Sequence, residues 1–181
     1  MAMKRLLAAM FTTAVLAAGC AKPLPERNYV NSEHKFRMNK PEGWSVVGAG
    51  EEEVIALKGS VAVLKAPKAT DAADAFISVR IVNNLKDSSP RRLYDSQFPA
   101  LREELKDLTI EERDEEFEAT ARRACLVTCS FTGDDGALWK GTILYVTSGK
   151  RGAVMLCTCF AADYGAYKQA FRSTCRSFFL E

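Results

Sequence analysis

The sequence contains a single histidine, His34, and no group of residues that resembles a catalytic constellation. His34 lies just before the first predicted strand, in a charged segment that we expect to be exposed. A histidine that acts as a general base needs a nucleophile within reach and a third group that orients it. The cysteines also lack the Cys-x-x-Cys spacing of redox motifs. We therefore predict no catalytic residue and a protein that is not an enzyme.

The chain also has little net charge, because 25 Lys and Arg residues oppose 23 Asp and Glu residues. Without Lys4 and Arg5, which belong to the signal peptide predicted below, the numbers of basic and acidic residues are equal. A nucleic-acid-binding domain is expected to show a basic excess or stripe, so we exclude nucleic acid as a partner. The cysteine spacings, Cys-x3-Cys and Cys-x-Cys, are not those of zinc sites. We expect no metal ion and no cofactor.

No apolar run in the sequence is long enough to cross a membrane. The longest extends from Leu6 to Leu16 and is interrupted by two threonines, whereas a spanning helix needs about 20 apolar residues. Two basic residues precede it and small residues follow it. This arrangement is typical of a cleaved secretion signal. We assign residues 1–19 to a signal peptide.

The signal ends in Leu16-Ala17-Ala18-Gly19-Cys20, which resembles a bacterial lipobox with alanine at the position where leucine is preferred. The resemblance implies that Cys20 receives diacylglycerol on its sulfur and, after cleavage, an acyl chain on its new amine. These chains would anchor the protein to a membrane of the cell envelope. Ala21 is not the aspartate that retains lipoproteins at an inner membrane, so in a host with two membranes we expect the outer membrane, facing the periplasm. The alternative is an ordinary exported protein with Cys20 near its cleavage site.

The rest of the chain divides into a short tether and one domain. Residues 20–28 contain Pro23, Pro25 and mixed charges, which favour an extended segment. Residues 29–181 contain no internal repeat, and a mature chain of about 160 residues is long enough for a hydrophobic core. The tether would hold this domain close to the bilayer.

The first half of the domain is predicted to contain a hairpin, a strand and a helix. The apolar runs Val54–Leu57 and Val61–Leu64 flank a glycine-serine turn and predict the hairpin. Phe76–Val82 predicts the strand. Ser89-Pro90 is typical of a helix start. Apolar residues then recur at helical spacing at Tyr94, Phe98, Leu101, Leu105 and Leu108.

Two features of this region leave alternatives open. Pro99 lies inside the helical pattern, and we expect it to kink the helix or divide it into two pieces. The segment from Glu103 to Glu118 is strongly acidic. It is either a solvated helix end followed by a charged edge strand, which we favour, or a contact for a cation or a basic partner. Arg122 and Arg123 are expected to lie opposite these acids.

The last third of the chain has the clearest pattern. Three apolar and β-branched runs, separated by two glycine-containing turns, predict an antiparallel three-stranded meander over Ala124–Phe131, Leu138–Thr147 and Ala153–Phe160. Asp163 is then expected to cap a closing helix. The buried face of that helix would carry Tyr164, Tyr167, Phe171 and Thr174 or Cys175.

Two short motifs resemble the PsbP-like domains. The first is Phe36-x-Met38-x-x-Pro41-x-Gly43-Trp44, and the second is Tyr167-x-x-x-Phe171 followed by Ser177-Phe178. The resemblance covers residues 29–181 and implies an α+β fold, in which a mostly antiparallel β-sheet is flanked by helices on both faces. Proteins of this resemblance include extrinsic photosystem subunits and a GTPase-binding nuclear import factor, which act by docking onto larger assemblies.

The resemblance therefore implies a lipid-anchored envelope protein with a non-enzymatic binding or scaffold role and an envelope protein as its partner. The alternative is a lipoprotein that binds a small ligand in a pocket between helix and sheet. A hydrolase or redox enzyme is the third reading, and the lack of a suitable constellation counts against it.

Five cysteines remain after Cys20, and an odd number cannot all pair within one chain. Strand periodicity places Cys125 and Cys129 on one face of their strand, and likewise Cys157 and Cys159 on theirs. The central strand of the meander would separate the two pairs by roughly 9 to 10 Å, which exceeds disulfide reach. Cys175 is the plausible partner of Cys157 or Cys159. The reading that we favour over such a disulfide is that the cysteines stay free and buried and act as small apolar residues.

Overall fold

The computed structural model describes residues 27–48, 55–67 and 74–181. The predicted signal peptide, Cys20 and the tether up to residue 26 lie outside the described residues, so these assignments stay predictions. Neither helix of the described part has the length and apolar character that a membrane crossing requires.

The described chain forms twelve strands and two α-helices. The strands are β1 (Arg27–Asn31), β2 (Phe36–Lys40), β3 (Ser45–Val47), β4 (Ala62–Lys65), β5 (Ala75–Val82), β6 (Lys106–Asp114), β7 (Glu118–Ala119), β8 (Arg122–Arg123), β9 (Cys125–Thr132), β10 (Leu138–Ser148), β11 (Arg151–Phe160) and β12 (Phe179–Leu180). The helices are α1 (Pro90–Glu104) and α2 (Tyr164–Ser177), and a short 3-10 turn at Ala161–Asp163 precedes α2.

A seven-stranded antiparallel sheet in the order β3-β4-β5-β11-β10-β9-β6 forms the centre of the fold. Its middle is the predicted meander, in which β10 pairs along its length with both β9 and β11. Gly136 and Gly149 lie in the two connections with φ of +81° and +57°, a conformation that favours glycine. Local turn chemistry and long β-branched runs therefore specify this part of the sheet.

Each face of the seven-stranded sheet packs against one helix. The buried residues of α2 join a core with Met155 and Cys157, whereas those of α1 join a second core with Val154 and Leu156. The side chains of successive β11 residues thus pack into opposite cores, as the two-residue period of a strand requires. The predicted α+β fold, a mostly antiparallel sheet flanked by helices on both faces, is confirmed.

A second, three-stranded sheet in the order β1-β2-β12 lies against the α2 core. At its end the chain turns at Pro41, whose carbonyl accepts the N–H of Trp44, and Gly43 has a φ of +80°. Trp44 is buried, and its ring meets Tyr167 and Phe171 edge-on at centroid distances of 6.2 and 6.3 Å. Both ends of the PsbP-like motif pattern therefore meet in one aromatic cluster.

The predicted hairpin around Gly59-Ser60 is wrong in its first strand. Val61–Leu64 largely coincides with β4, but β4 pairs with β3 and β5, and residues 55–57 form no strand. The backbone N–H of Leu57 donates to the Ser78 hydroxyl, and the Leu57 side chain is buried in the α1 core. Val54 lies outside the described residues.

Helix α1 begins as predicted and ends earlier than predicted. The Ser89 hydroxyl accepts the backbone N–H of Arg92, and a proline occupies the first turn. The helix continues through Pro99 undivided, since Pro99 is on the exposed side, where the carbonyl it leaves unpaired is accessible to water. It ends at Glu104, so Leu108 belongs to β6 and not to the helix.

The acidic segment forms β6, which is an edge of the seven-stranded sheet, as we favoured. Several of its carboxylates contact cations: Lys140 pairs with Glu111, Arg91 and Arg113 with Glu115, and Arg123 with Glu116. Within the described residues, no cluster of three or more His, Cys, Asp or Glu side chains is arranged to hold a metal ion. A charged edge strand of this kind resists pairing with another sheet.

Candidate interaction surface and buried thiols

Packed side chains fill the two helix–sheet interfaces in the part of the chain that the structure describes. Under α1, the Tyr94 ring meets the fully buried Tyr145 ring edge-on at 5.3 Å, and Leu101 is also fully buried. Under α2, Phe171 and Cys175 have no exposed surface. These interfaces are dense cores, and the predicted alternative of a ligand pocket between helix and sheet gains no support from them.

Two neighbouring depressions instead open on the outer side of α2. One, of about 440 Å³, lies along the helix and is lined by Lys168, Arg172 and Arg176. The other, of about 520 Å³, lies between α2 and the β7–β8 hairpin, and its lining includes Glu116 and Glu118 together with Arg172 and Arg176. We call these five residues the α2 surface. It is open and charged, in contrast to the enclosed, apolar sites that small ligands favour.

Helical spacing aligns the cations of the α2 surface. Lys168, Arg172 and Arg176 follow one another at intervals of four residues and therefore lie along one side of the helix. An adjacent side of the helix carries the buried residues Tyr164, Phe171, Thr174 and Cys175, as predicted. Among the described residues, the three cations form no ion pair. The stripe is therefore available to anionic groups of a partner.

The β7–β8 hairpin is fixed to the end of α2 by its turn residues. Thr120 and Ala121 both have positive φ, at 47° and 58°, which is a strained conformation for residues other than glycine. The Thr120 N–H donates to the Arg176 carbonyl at 2.7 Å, and its hydroxyl donates to the Phe178 carbonyl at 3.0 Å. The Arg172 guanidinium lies 5.6 Å above the ring of buried Phe117. These contacts fix the hairpin against α2 and so define the geometry of the α2 surface.

Asp163 occupies the position before α2, but its carboxylate makes no capping hydrogen bond. The 3-10 turn at Ala161–Asp163 leads directly into the helix, and the N–H of Tyr164 donates to the Ala161 carbonyl. The prediction that Asp163 caps the helix is therefore right in position and wrong in mechanism.

Arg122 contacts the C-terminal strand β12 rather than the acidic segment. A second arginine, Arg151, contacts the residue that follows β12. The guanidinium groups of Arg122, on β8, and Arg37, on β2, lie 4.6 and 4.7 Å from the Phe179 ring centroid, and Arg122 also donates to the Leu180 carbonyl at 3.0 Å. Arg151 donates to the carbonyls of His34 and Glu181 at 2.7 and 2.9 Å. Of the two arginines expected opposite the acids, only Arg123 forms such an ion pair.

His34 lies in the connection between β1 and β2, with 32% of its side chain exposed. Its ring is 3.8 Å from the Glu33 carboxylate, and its backbone N–H donates to Asn31. The backbone of His34 thus stabilises the β1–β2 turn, and its carbonyl accepts a hydrogen bond from Arg151.

The five domain cysteines are all buried and free, and they face two different cores. Cys125 and Cys129 belong to the α1 core, while Cys157, Cys159 and Cys175 belong to the α2 core. Each strand pair thus shares one face, as strand periodicity predicts, and the structure adds that the two pairs lie on opposite faces of the sheet. Of the three cysteines named as disulfide candidates, Cys157 and Cys175 have neighbouring side chains in the α2 core. The disulfide itself stays a prediction.

Burial raises the pKa of four of these thiols. Removal from water raises the pKa of Cys125 to about 11, and the pKa values of Cys129 and Cys159 to about 12. It raises the pKa of the Cys157 thiol well above its usual value, and the contact with Cys175 acts in the same direction. Because the thiolate is the nucleophilic form, these four cysteines are unreactive in the folded protein at neutral pH.

Sequence reasoning missed a largely buried ion pair at the end of α1. The Arg80 guanidinium on β5 contacts the Glu104 carboxylate at the end of α1 at 2.6 Å, with only 13% and 19% of the side chains exposed. Arg80 also approaches the Lys58 carbonyl at 3.3 Å, and Glu104 accepts the Lys58 N–H at 3.1 Å. A single arginine inside the apolar run Phe76–Val82 was the available signal.

No protein-family model matches the sequence, and no curated protein matches it. Solved structures do match in fold. Cyanobacterial PsbP from Synechocystis sp. PCC 6803 has a TM-score of 0.62 at 11% identity, over 92% of this chain and 99% of its own. The Ran-binding protein Mog1p of Saccharomyces cerevisiae has a TM-score of 0.58 at 9% identity, over 87% of this chain and 96% of its own.

A third structure is LpqN of Mycobacterium tuberculosis, which is described as involved in cell envelope biogenesis. It has a TM-score of 0.54 at 11% identity, over 85% of this chain and 89% of its own. At such identities the likeness concerns the fold alone. The two sequence motifs, the topology and these structures agree, and the chain has the PsbP-like α/β/α fold.

Proposed function

We propose that this protein is a lipid-anchored lipoprotein of the bacterial cell envelope that binds an envelope protein through its α2 surface and catalyses no reaction. The observation that carries the binding role is the contrast between the two helix–sheet interfaces, which are packed, and the outer side of α2, which is open and charged. Such a surface suits a macromolecular partner with acidic groups opposite the cationic stripe.

The envelope location is supported by the sequence and by one structural neighbour. The lipobox resemblance at Leu16–Cys20 supports export and lipid attachment, and LpqN, of the same fold, is described as involved in cell envelope biogenesis. Only six residues separate Cys20 from β1 at Arg27. At about 3.5 Å per extended residue, the domain would remain within roughly 25 Å of the bilayer.

Replacement of Cys20 by serine tests the anchor. We expect the wild-type mature chain to begin at an acylated Cys20 and to sediment with membranes, because two or three acyl chains make detachment negligible. Cys20→Ser should carry no acyl chain and should lose that mode of attachment. Mass spectrometry of the N-terminal peptide measures the modification. Ala21→Ser, which keeps the sulfur, is the matched control, and an unmodified N-terminus in the wild type would contradict lipid anchoring.

Charge reversal on α2 tests the docking role. We expect the double variant Lys168→Glu/Arg176→Glu to lose a cross-linked envelope protein by about tenfold or more, because like charges would then face each other across the interface. Cross-linking in intact cells, followed by identification of the partner by mass spectrometry, measures the loss. Arg102→Glu/Lys106→Glu makes the same charge change at exposed positions away from α2. Equal losses in both variants would contradict a role for this surface.

A further inference from the structure

We propose that Cys157 and Cys175 form a disulfide that fastens α2 to the centre of the sheet. The proposal rests on the proposed export of the chain, because disulfides form and persist in oxidising compartments. It selects one pairing from the alternatives that the sequence leaves open.

The positions of the two residues make the contact specific. Cys157 lies on β11, between Thr142 of β10 and Ile77 of β5, and its side chain belongs to the core beneath α2. Cys175 is on the buried side of α2, in the same core. Neither residue has exposed surface, and their side chains are neighbours in this core. A strand and a helix thus bring two sulfur atoms into contact inside the domain.

The neighbouring cysteine is directed elsewhere. The Cys159 sulfur points toward the Lys140 carbonyl, at 3.9 Å, and so lies along the β10 side of its strand. Cys125 and Cys129 lie on the other face of the sheet, in the α1 core. The side-chain contacts therefore favour Cys157 over Cys159 as the partner of Cys175.

The bond would form while the domain folds, because the folded core excludes an oxidant from both sulfurs. One thiolate attacks the disulfide of a protein dithiol oxidase, forms a mixed disulfide and releases one oxidase thiolate. The second thiolate attacks the protein sulfur of that mixed disulfide and releases the other oxidase thiolate. Two electrons pass to the oxidase, and the two thiol protons end on its sulfurs or in water. Once α2 closes over the bond, reductants are excluded as well.

Peptide mapping tests the pairing on the mature full-length chain. The chain isolated from the envelope, and separately the chain refolded with oxidised glutathione, should each yield one cross-linked peptide pair containing Cys157 and Cys175. Cys125, Cys129 and Cys159 should react with a thiol reagent only after denaturation. A linked pair in the refolded chain but not in the envelope chain would retain the pairing and count against export. All five thiols free in the refolded chain, or a bond through Cys159, would overturn it.

Thermal unfolding supplies a second readout. A bond that closes a loop of about 18 residues should make reduction lower the unfolding midpoint by roughly 6 to 12 °C. Cys157→Ala and Cys175→Ala should lose this dependence on reductant, whereas Cys159→Ala should keep it. An equal response to reductant in all three variants would overturn the pairing, and peptide mapping of the wild type remains decisive where a variant does not fold.

Discussion

Replacement of Arg80 by methionine is expected to lower the free energy of unfolding by about 3 kcal/mol, because it leaves the largely buried Glu104 carboxylate without its cation. The two side chains are in contact at 2.6 Å and retain only 13% and 19% of their exposure. The variant also loses the donor to the Lys58 carbonyl. Urea denaturation of the variant and the wild type, followed by the change in midpoint at constant slope, measures the effect.

Two further variants separate this ion pair from a general charge effect. Arg91 forms ion pairs on the surface of α1, where 46% of its side chain is exposed, and Arg91→Met should cost no more than about 1 kcal/mol. The double variant Arg80→Met/Glu104→Leu should be more stable than Arg80→Met, because it removes the uncompensated charge. If Arg80→Met and Arg91→Met were equally stable, the buried pair would have no special role.

The pair has a clear place in the architecture. Arg80 is on β5, Glu104 ends α1, and both meet the backbone of Lys58 in the loop before β4. The end of the helix, a central strand and a loop without regular structure are thereby connected at one point.

The parts of the fold that the sequence predicts well are those that local chemistry determines. The meander follows from long β-branched runs and two glycine turns, and the start of α1 from a serine cap and a proline. Trp44 follows the same logic, since the Pro41–Gly43 turn directs the indole inward. In each case the residues that decide the structure are within a few positions of one another.

The errors arise where distant residues decide. Leu57 forms no strand because Ser78, 21 residues away, takes its backbone N–H. Leu108 continues the helical spacing, but Asp107 has a φ of +56° and the chain has already entered β6. Pairing with β9 and burial of Leu105 outweigh the apolar period there.

The α2 surface was even less accessible to sequence reasoning. The four-residue spacing of its cations is visible in the sequence, but the hairpin that completes it is joined to α2 across 56 residues, by the hydrogen bonds of Thr120 to Arg176. Arg172 likewise meets Phe117, which belongs to a segment that reads as merely acidic. The thiol contact was partly foreseen, because strand periodicity limits which cysteines can face the closing helix.

The three structural neighbours share this chain's fold but little of its sequence. They share the sheet and its two covering helices with this chain at identities of 9% to 11%, so few exposed residues are held in common. A fold of this kind supports different partners through different surfaces. For the proposed binding role, the charged outer side of α2 is therefore a better guide to the partner than the architecture is.

Replacement of Gly141 by alanine is expected to cost about 3 kcal/mol or more, which is a large part of the stability of a domain of this size. Gly141 lies in β10, and a Cβ at this position would be 2.2 Å from the backbone carbonyl oxygen of Cys157 on β11. The obstacle is backbone, so no side-chain rotation relieves it, and the two central strands would have to move apart. Thermal and urea unfolding of the purified variant measure the loss, and a yield too low for purification would have the same cause.

Gly165→Ala is the matched control, because the same methyl group is added in α2, where nothing lies within 4 Å of the new Cβ. There alanine should stabilise the protein by about 0.5 to 1 kcal/mol, since it restricts the unfolded chain and favours the helix. Opposite signs at the two positions would show that the close approach of β10 and β11 requires a glycine. Equal stability of Gly141→Ala and the wild type would mean that β10 and β11 tolerate a wider spacing at this position, and the requirement for glycine would then be wrong.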